Sequence, residues 1–580
     1  MPDTSINQLL LERAIFEHVR LPLRSDRHQQ YLSFYVDAGN LDRLRSKEWQ
    51  VIFGRRGTGK TLLLGALHDS LRAEIGSDTG RNLPLSFTGY EFRASPIGIE
   101  VPEKIRGLAY FQIFMESLAT QLSDAVESLT HTSWNQKLLG VHSRRIERVE
   151  KLAAEIVGHS QSGAPLSAYS EFERSHKSTE VFKDQSSFDL SIAATSDVRQ
   201  PLRLGAGVTA DKRSGSERRS VYEEVQSSPA IPRFIEARNK MVKLLDELQL
   251  STLYILIDEW SALDATATTS IQPLFSELLK ISFGGSDRIA IKIAANPHQV
   301  RFSNLTRRHY GLELGADIFV AANLDYSKMA QHEQLKFYES LLRKRLLVNE
   351  PSLDVRDAVA TMFDEDAYRE LVNGSEGVPR RFLQIFNSLA EYYDYRVVPP
   401  WGIDAVRDAI TGTLVADIEV NFQSSASPLR VQLQDMATRA RSRIFYVRKE
   451  DAAQLSDSIE ELLEARLIHD IPHADVPPRI RLAFDAYRID YGLWLYWVQG
   501  TGQTPRIDES LQFSDDPETV WGQTLHASQA DSADLITCAN CDAQFSRSER
   551  PYKIRGLCPN CYRDPRLAGA AGVSTPDQPE

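Results

Sequence analysis

A chain of 580 residues, 42% hydrophobic and 25% charged, has the composition of an ordinary globular protein and is too long for a single core, which excludes a fibre and a wholly disordered polymer. Length alone implies roughly three or four domains. A formal net charge of −12 excludes a protein that coats nucleic acid through bulk positive charge, so any such contact must come from a local basic face.

Residues 1–45 read as helices. Asn7 to Val19 carries Leu9, Leu10, Ala14, Ile15 and Val19 at helical spacing, and Leu41 to Lys47 leads onward as a second helix. Glu12, Arg13, Glu17 and Arg20 interrupt the first apolar positions, so no secretory signal is expected. The most apolar late stretch, Tyr491 to Val498, falls far short of a bilayer span, and the chain is expected in the cytoplasm, with no membrane partner.

Between Val51 and Leu67 a short apolar run enters Gly54-Arg55-Arg56-Gly57-Thr58-Gly59-Lys60-Thr61 and leaves through Leu62-Leu63-Leu64. This is G-x-x-x-x-G-K-[ST], a phosphate-binding loop. Its glycines let successive N–H groups turn toward an anion, and the helix that follows presents its positive end to the same place. Lys60 then reaches the outer phosphates and Thr61 offers its hydroxyl to Mg²⁺. None of these residues specifies the base.

After the helix Thr61 to Leu71 come a strand around Leu83 to Phe87, a long amphipathic helix from Leu108 to Leu129, and a helix Arg144 to Val157 whose charged residues suit a face in water. Residues 158–232 break the alternation. Ser187 to Ile192 and Leu202 to Leu204 alternate as a hairpin would, and the stretch reads either as a surface loop without chemistry or as an inserted arm whose Lys212, Arg213, Arg218 and Arg219 touch a partner or a nucleic acid backbone. A helix, Phe234 to Leu248, leads to Leu253-Tyr254-Ile255-Leu256-Ile257-Asp258-Glu259-Trp260. In a phosphate-loop enzyme Asp258 holds the magnesium through water, and Glu259 orients or deprotonates the attacking water.

A helix Ile271 to Ile281 precedes the strand Ile289 to Ala295, which ends at Asn296. Asn296 either senses a terminal phosphate or starts a turn before Pro297. Arg301, Arg307 and Arg308 offer an arginine finger or a solvated basic turn, and Ala316 to Val320 reads as a fifth strand. From Gln331 to Tyr395 the spacing is helical, and Gly377-Val378-Pro379-Arg380 opens one helix with Arg380 placed to contact phosphate from a lid.

Taken together, these stretches resemble an AAA+ ATPase of the bacterial origin-recognition/Cdc6-like group. The matching text is Gly54 to Thr61, Ile257 to Leu263, Ile271 to Pro273, Ile291 to Ala294, Gly311 to Asp317 and Gly377 to Arg380, over roughly residues 30–400. The resemblance implies ATP over GTP, Lys60 and Thr61 as the first motif, Asp258 and Glu259 as the second, Asn296 as sensor 1 and Arg380 as sensor 2. It also implies a homo-oligomer and a setting in anti-phage defence. The chain departs from the simple pattern in the long separation of Asp258 from the loop, read as an insertion over about 97–232, and in having no single arginine at the finger position.

Residues 428–500 read as a winged helix: helices Leu429 to Tyr446 and Asp451 to Ala465, then strands at Ile480 to Leu482 and Tyr487 to Trp497. Asp457, Glu460, Glu461 and Glu464 would repel phosphate, so either Arg439, Arg441, Arg443, Arg448, Arg479 and Arg481 meet DNA or the module binds a protein effector. Residues 501–535 are a linker by composition. Cys538-Ala539-Asn540-Cys541 and Cys558-Pro559-Asn560-Cys561 have the spacing of a four-thiolate site, so Cys538, Cys541, Cys558 and Cys561 are expected to hold structural Zn²⁺, with Arg547, Arg550, Lys553 and Arg555 between them.

The expected architecture is α/β: helices over 1–45, a phosphate-loop ATPase core with a parallel sheet over 46–330, a helical lid over 331–427, a winged-helix-like domain over 428–500, a zinc ribbon over 536–566 and a disordered tail over 567–580. The expected function is an ATP-driven switch or motor acting on DNA or a DNA-associated effector. The rival is a nucleotide-gated protein scaffold with no direct DNA contact.

Overall fold

The structure, a computed structural model, describes residues 30–75, 81–93, 103–131, 143–160, 190–192, 202–204, 230–263, 271–304 except 298, 310–349, 357–393, 400–421 and 428–440, then most of 442–500 and short pieces of 520–558. The helix read at Asn7 to Val19, the basic arm residues Lys212 to Arg219, Arg307, Arg308, Arg441, Cys541, Cys561, the basic residues between the cysteine pairs, and the tail lie outside the described residues. By their internal contacts the described residues form two compact units. The first holds residues up to 329 together with 339–349; the second holds 330–338 and everything from 357 onward.

In the first unit the elements run α1 (Gln30–Phe34), α2 (Asn40–Leu44), β1 (Gln50–Phe53), α3 (Lys60–Glu74), β2 (Asn82–Thr88), α4 (Gly89–Arg93), α5 (Glu103–His131), α6 (Ser143–Ser160), β3 (Leu190–Ile192), β4 (Leu202–Leu204), α7 (Ala230–Leu248), β5 (Thr252–Asp258), α8 (Gln272–Phe283), β6 (Ile289–Ala295), β7 (Ser303–Asn304), β8 (Tyr310–Gly311) and β9 (Phe319–Asn323). Five strands make one sheet in the order β2-β5-β6-β1-β9, every neighbouring pair parallel. All seven residues of β5 and all seven of β6 are buried, as expected of strands covered on both faces, which is why their text is nearly unbroken apolar. The α/β class with a parallel sheet, expected from the sequence, is what the structure shows.

Pairing of Phe53 with Ala295, of Thr88 with Asp258 and of Ile257 with Ile293 brings the carboxyl ends of these strands to one edge of the sheet. That edge is where open α/β sheets take ligands. Below it, Phe87, Phe111, Phe114, Phe234, Phe275 and Trp260 meet edge to face. The stretch read as an insertion contributes to this core: Val149 and Ile156 of α6 and much of α5 are buried in it, with α6 packed against α5 and α7. β3 and β4 pair antiparallel, as the alternation there implied.

The fifth strand is Phe319–Asn323, not Ala316 to Val320. Gly315 has φ 87°, and the Glu313 carbonyl accepts from the amides of Ala316, Asp317 and Ile318, so that text closes a turn before pairing with β1 begins.

α9 (Gln331–Asn349) crosses the division between the units. The second unit continues with α10 (Ala358–Met362), α11 (Glu365–Gly374), α12 (Pro379–Tyr393), α13 (Ile403–Asn421), α14 (Pro428–Ala440), β10 (Ile444–Arg448), β11 (Ile468–Asp470), α15 (Pro478–Arg481), β12 (Phe484–Ile489), α16 (Tyr491–Gln499), β13 (Thr524–Leu525), β14 (Leu535–Thr537) and β15 (Gln544–Ser546). Four of its strands form a sheet in the order β11-β12-β10-β13.

Three expectations for this region are corrected. The helix read from Leu429 to Tyr446 ends at Ala440, because Ile-Phe-Tyr-Val suits a buried strand and becomes β10. Ile480 belongs to the short helix α15, started by Pro478, and Leu482 stands exposed behind it. The run from Tyr487 to Trp497 divides at Asp490, whose side chain accepts from the amides of Gly492 and Leu493 and starts α16. Within 501–535, Thr524–Leu525 pairs with β10, so the polar text there is not linker throughout. Tyr491, Trp494 and Trp497 are buried core residues.

Candidate nucleotide site

The loop Gly54 to Thr61 leaves the carboxyl end of β1 and enters α3. Gly57 and Gly59 have φ 91° and 98°, the left-handed region that glycine reaches without steric cost. Gly54 is needed for a different reason: a Cβ there would stand 2.4 Å from Thr58 Oγ1. Thr58 closes the loop on itself by donating its hydroxyl to the Arg55 carbonyl at 2.8 Å. The Lys60 ammonium is folded back and donates to the carbonyls of Gly54 and Arg55 at 2.7 and 3.1 Å. Arg55 pairs with Asp325 at 3.4 Å, while Arg56 is exposed.

Opposite the loop, Asp258 ends β5. Its Oδ2 accepts the Thr61 hydroxyl at 2.6 Å and its Oδ1 accepts the Glu259 amide at 2.9 Å. Burial pushes the Asp258 carboxyl up to about 6, against the hydrogen bond from Thr61, and the charge of Glu259 pushes the same way. Glu259 is half-buried with φ 51°, and Trp260 behind it is locked between Phe275 and Phe302.

The residues fit a magnesium–nucleotide pair. A hydroxyl and a desolvated carboxylate meet as hard-oxygen donors, and nothing lies within 4 Å of where a Cβ on Gly59 would stand, so the loop has room on that side. A cation beside Asp258 would also relieve the cost of its buried charge.

Asn296 follows β6 at the same sheet edge, half-buried, with its side-chain amide donating to Gln299 at 3.1 Å. Arg301 is exposed. Arg380 stands in the first turn of α12, in the second unit, half-buried. Cys538 and Cys558 are buried, and Cys538 follows β14, which pairs antiparallel with β15. The structure therefore places Gly54 to Thr61, Asp258, Glu259 and Asn296 together and leaves Arg380 and the described cysteines in the other unit.

The sequence reading missed a buried ionic network in that second unit. Asp490 pairs with Arg381 and with His469 Nε2 at 3.1 Å; Glu376 pairs with Arg443 and with Arg488 at 3.1 Å; Glu370 pairs with Arg407 at 2.6 Å and accepts the Tyr491 hydroxyl at 2.5 Å. Burial alone would raise Asp490, but Arg381 and His469 hold it well below the usual carboxylate range. Glu376, His469 and Asp490 lie close enough to suggest metal ligands, yet guanidinium groups occupy both carboxylates, so this is an ion-pair network. Arg443, read as a candidate DNA contact, is withdrawn into it, and Arg448 is taken by Glu450 and Asp451.

No family model and no curated protein matches the chain. Solved structures that resemble it include the Walker-type ATPase PABY2304 of Pyrococcus abyssi, at 13% identity over 84% of this chain and 99% of that one, TM-score 0.35. Others are the Aeropyrum pernix ORC2 protein in ADPNP–ADP complexes, at 12% identity over 84% and 96%, TM-score 0.35, and the Aeropyrum pernix ORC1 protein in complex with DNA, at 14% identity over 85% and 96%, TM-score 0.31. At such scores the fold rests on the sheet order and loop geometry described above. No described helix is long and apolar enough to cross a membrane.

Proposed function

We propose that the chain is an ATP-binding and ATP-hydrolysing AAA+ protein of origin-recognition/Cdc6-like type, a cytoplasmic switch or motor acting on DNA or on a DNA-associated effector. The observation that carries this is the hydrogen bond from Thr61 to Asp258, which joins two motifs 197 residues apart at one end of a parallel sheet. When bound, ATP would supply the phosphoryl group transferred to water, with ADP as the leaving group, and Mg²⁺ would spread the charge. The amides of Gly57 to Thr61 cradle phosphate oxygens, and Lys60 exchanges its carbonyl partners for them. Thr61 and Asp258 hold the cation, and Glu259 takes a proton from the attacking water. Asn296 positions that water, and Arg380 closes on the phosphates as a lid, with a neighbouring copy in a homo-oligomer completing the site. Cys538, Cys541, Cys558 and Cys561 bind one structural zinc, which metal analysis of the purified protein checks. The anti-phage setting follows from the resemblance alone.

The withdrawal of Arg443 and Arg448 into ion pairs thins the basic surface and favours a second reading, a nucleotide-gated protein scaffold without direct DNA contact. One experiment separates the two. Glu259→Gln should bind MgATP with unchanged affinity and lose hydrolysis, and wild-type turnover should rise with DNA in a salt-sensitive way. Unchanged turnover in Glu259→Gln removes the hydrolytic assignment; no response to DNA, with a change of mass on adding a non-hydrolysable analogue, selects the scaffold.

A further inference from the structure

The backbone of Glu259 is left-handed, φ 51°, a conformation a side-chain-bearing residue holds only when its surroundings enforce it. Three of the restraints are visible. The Glu259 amide donates to Asp258 Oδ1 at 2.9 Å; its carbonyl accepts the Ala262 amide at 2.9 Å; and Trp260 is fixed in the aromatic core. The fourth lies on the neighbouring strand. Pairing of Thr88 with Asp258 puts Gly89, the residue after β2, beside Glu259, and a Cβ on Gly89 would stand 2.2 Å from the Glu259 carbonyl oxygen and 3.2 Å from the Ala262 Cβ. Gly89 opens α4 and has no left-handed φ of its own, so backbone freedom does not explain a glycine there. The close approach of the Glu259 peptide does.

We propose that Gly89 is a positioning residue for hydrolysis: its missing side chain lets the Glu259 peptide sit against α4, and this seat aims the Glu259 carboxylate. The proposal rests on the reading of Glu259 as the hydrolytic base. The three heavy atoms nearest a Cβ on Gly89 belong to Glu259 and Ala262, not to the loop, Thr61 or Asp258, so Gly89 should govern turnover and leave binding alone. Any side chain at 89 must push the Glu259 carbonyl aside by the better part of an ångström, and displacement on that scale costs about 100-fold in rate where a reacting group has to be aligned.

The test is Gly89→Ala, made in the wild type and in Glu259→Gln, with MgATP affinity measured by calorimetry and hydrolysis by single-turnover assay. The expected result is turnover lowered by about 10- to 100-fold at an affinity within about twofold. Gly89→Ala should slow Glu259→Gln no further, because the two changes disable the same group. Wild-type turnover in Gly89→Ala, weakened binding, or additional slowing of Glu259→Gln would overturn the proposal. Wild-type turnover in Glu259→Gln alone would instead overturn the reading of Glu259, so the two failures are distinct. Should Gly89→Ala not fold, Gly89→Ala/Glu259→Gly, whose freed backbone relieves the collision, should recover folding and nucleotide binding; if it does not, the steric seat is wrong.

Discussion

Asp258, which ends β5 in the first unit, and Asp490, which follows β12 and caps α16 in the second, are both buried, yet they sit in opposite chemical states. Asp490 is saturated: Arg381 and His469 hold its charge and two amides of α16 donate to it. Asp258 has a hydroxyl and one amide, and burial lifts its carboxyl to about 6. The same contrast separates two glutamates that share φ 51°, since Glu376 is matched by Arg443, Arg488 and the Tyr491 amide, whereas Glu259 is half-buried just after β5. Clustered acids and a strained backbone therefore do not mark a site by themselves. What marks it is buried charge whose desolvation outweighs the partners it has, Lys60 included.

The sharpest way to break this comparison is to remove the charge in each unit. Asp490→Ala leaves the Arg381 guanidinium and His469 without their partner, and removal of one member of a buried pair costs about 3–5 kcal/mol. Hydrogen exchange of peptides from β12, α12 and α16 should report that loss locally, without requiring a single unfolding transition for a chain of two units. The folded pKa of Asp490 is depressed, so its stabilisation is complete above about pH 4 and drains away on further acidification.

Asp258→Asn should act with the opposite sign. A carboxyl whose folded pKa is raised to about 6 contributes stability that is fully present below about pH 4 and is lost as pH rises through 6, so at neutral pH the nucleotide-free protein carries a penalty of about 3 kcal/mol. The asparagine variant should be more stable than wild type at pH 7.5, equal to it near pH 4, and no longer stabilised by Mg²⁺ with nucleotide. Exchange protection in β5 and α3 across that range checks it. A destabilised Asp258→Asn at neutral pH would erase the distinction between the two aspartates.

How much of this was legible in the sequence follows from how local each feature is. The phosphate loop is eight consecutive residues, and Asp258 ends a buried strand whose text is apolar without interruption; both can be read without knowing the fold. The ionic network is assembled from Glu370, Glu376, Arg381, Arg407, Arg443, His469, Arg488 and Asp490, which share no periodicity and meet only through tertiary packing, so Arg443 looked like surface. The run around Asp490 reads as one strand because it is aromatic on either side, although an aspartate directly before an apolar run is a helix-start signal. Gly89 carries no signal of its own in the sequence, because only the strand register and the close approach of the Glu259 peptide reveal its place.

Lys292 tests an intermediate case, a buried charge matched by dipoles instead of ions. Its ammonium, in the middle of β6, donates to the carbonyls of Ser46 and Glu48 at 2.6 Å each and to Gln50 Oε1 at 2.5 Å, and so ties the residues entering β1 to the centre of the sheet. Lys292→Met strips three acceptors of their donor and should cost about 1–3 kcal/mol. Burial lowers the ammonium to about 7, so the unfolded chain binds the extra proton above that pH, and wild-type stability should rise from pH 7 toward pH 10 while Lys292→Met loses this slope. Thermal melts over that range measure it.

The smallest effect is expected at the ion pair between Arg55 of the loop and Asp325. Arg55 reaches Asp325 at 3.4 Å with both side chains partly in water, and Asp325 also accepts from the Ser327 hydroxyl at 2.6 Å and the Ser327 amide at 3.3 Å. Asp325→Asn keeps an oxygen for Ser327 and removes the charge opposite Arg55 and, at 3.9 Å, opposite Lys328. Pairs this exposed are worth about 0.2–1 kcal/mol, so nucleotide affinity should change by no more than about fivefold, and in the direction of tighter binding, because the released guanidinium adds positive charge beside the phosphate cradle. Titration at low and at high salt decides it, since a screened gain shrinks with added salt. Weaker binding would mean that Asp325 holds the loop in shape, and that the nucleotide unit too depends on a saturated pair.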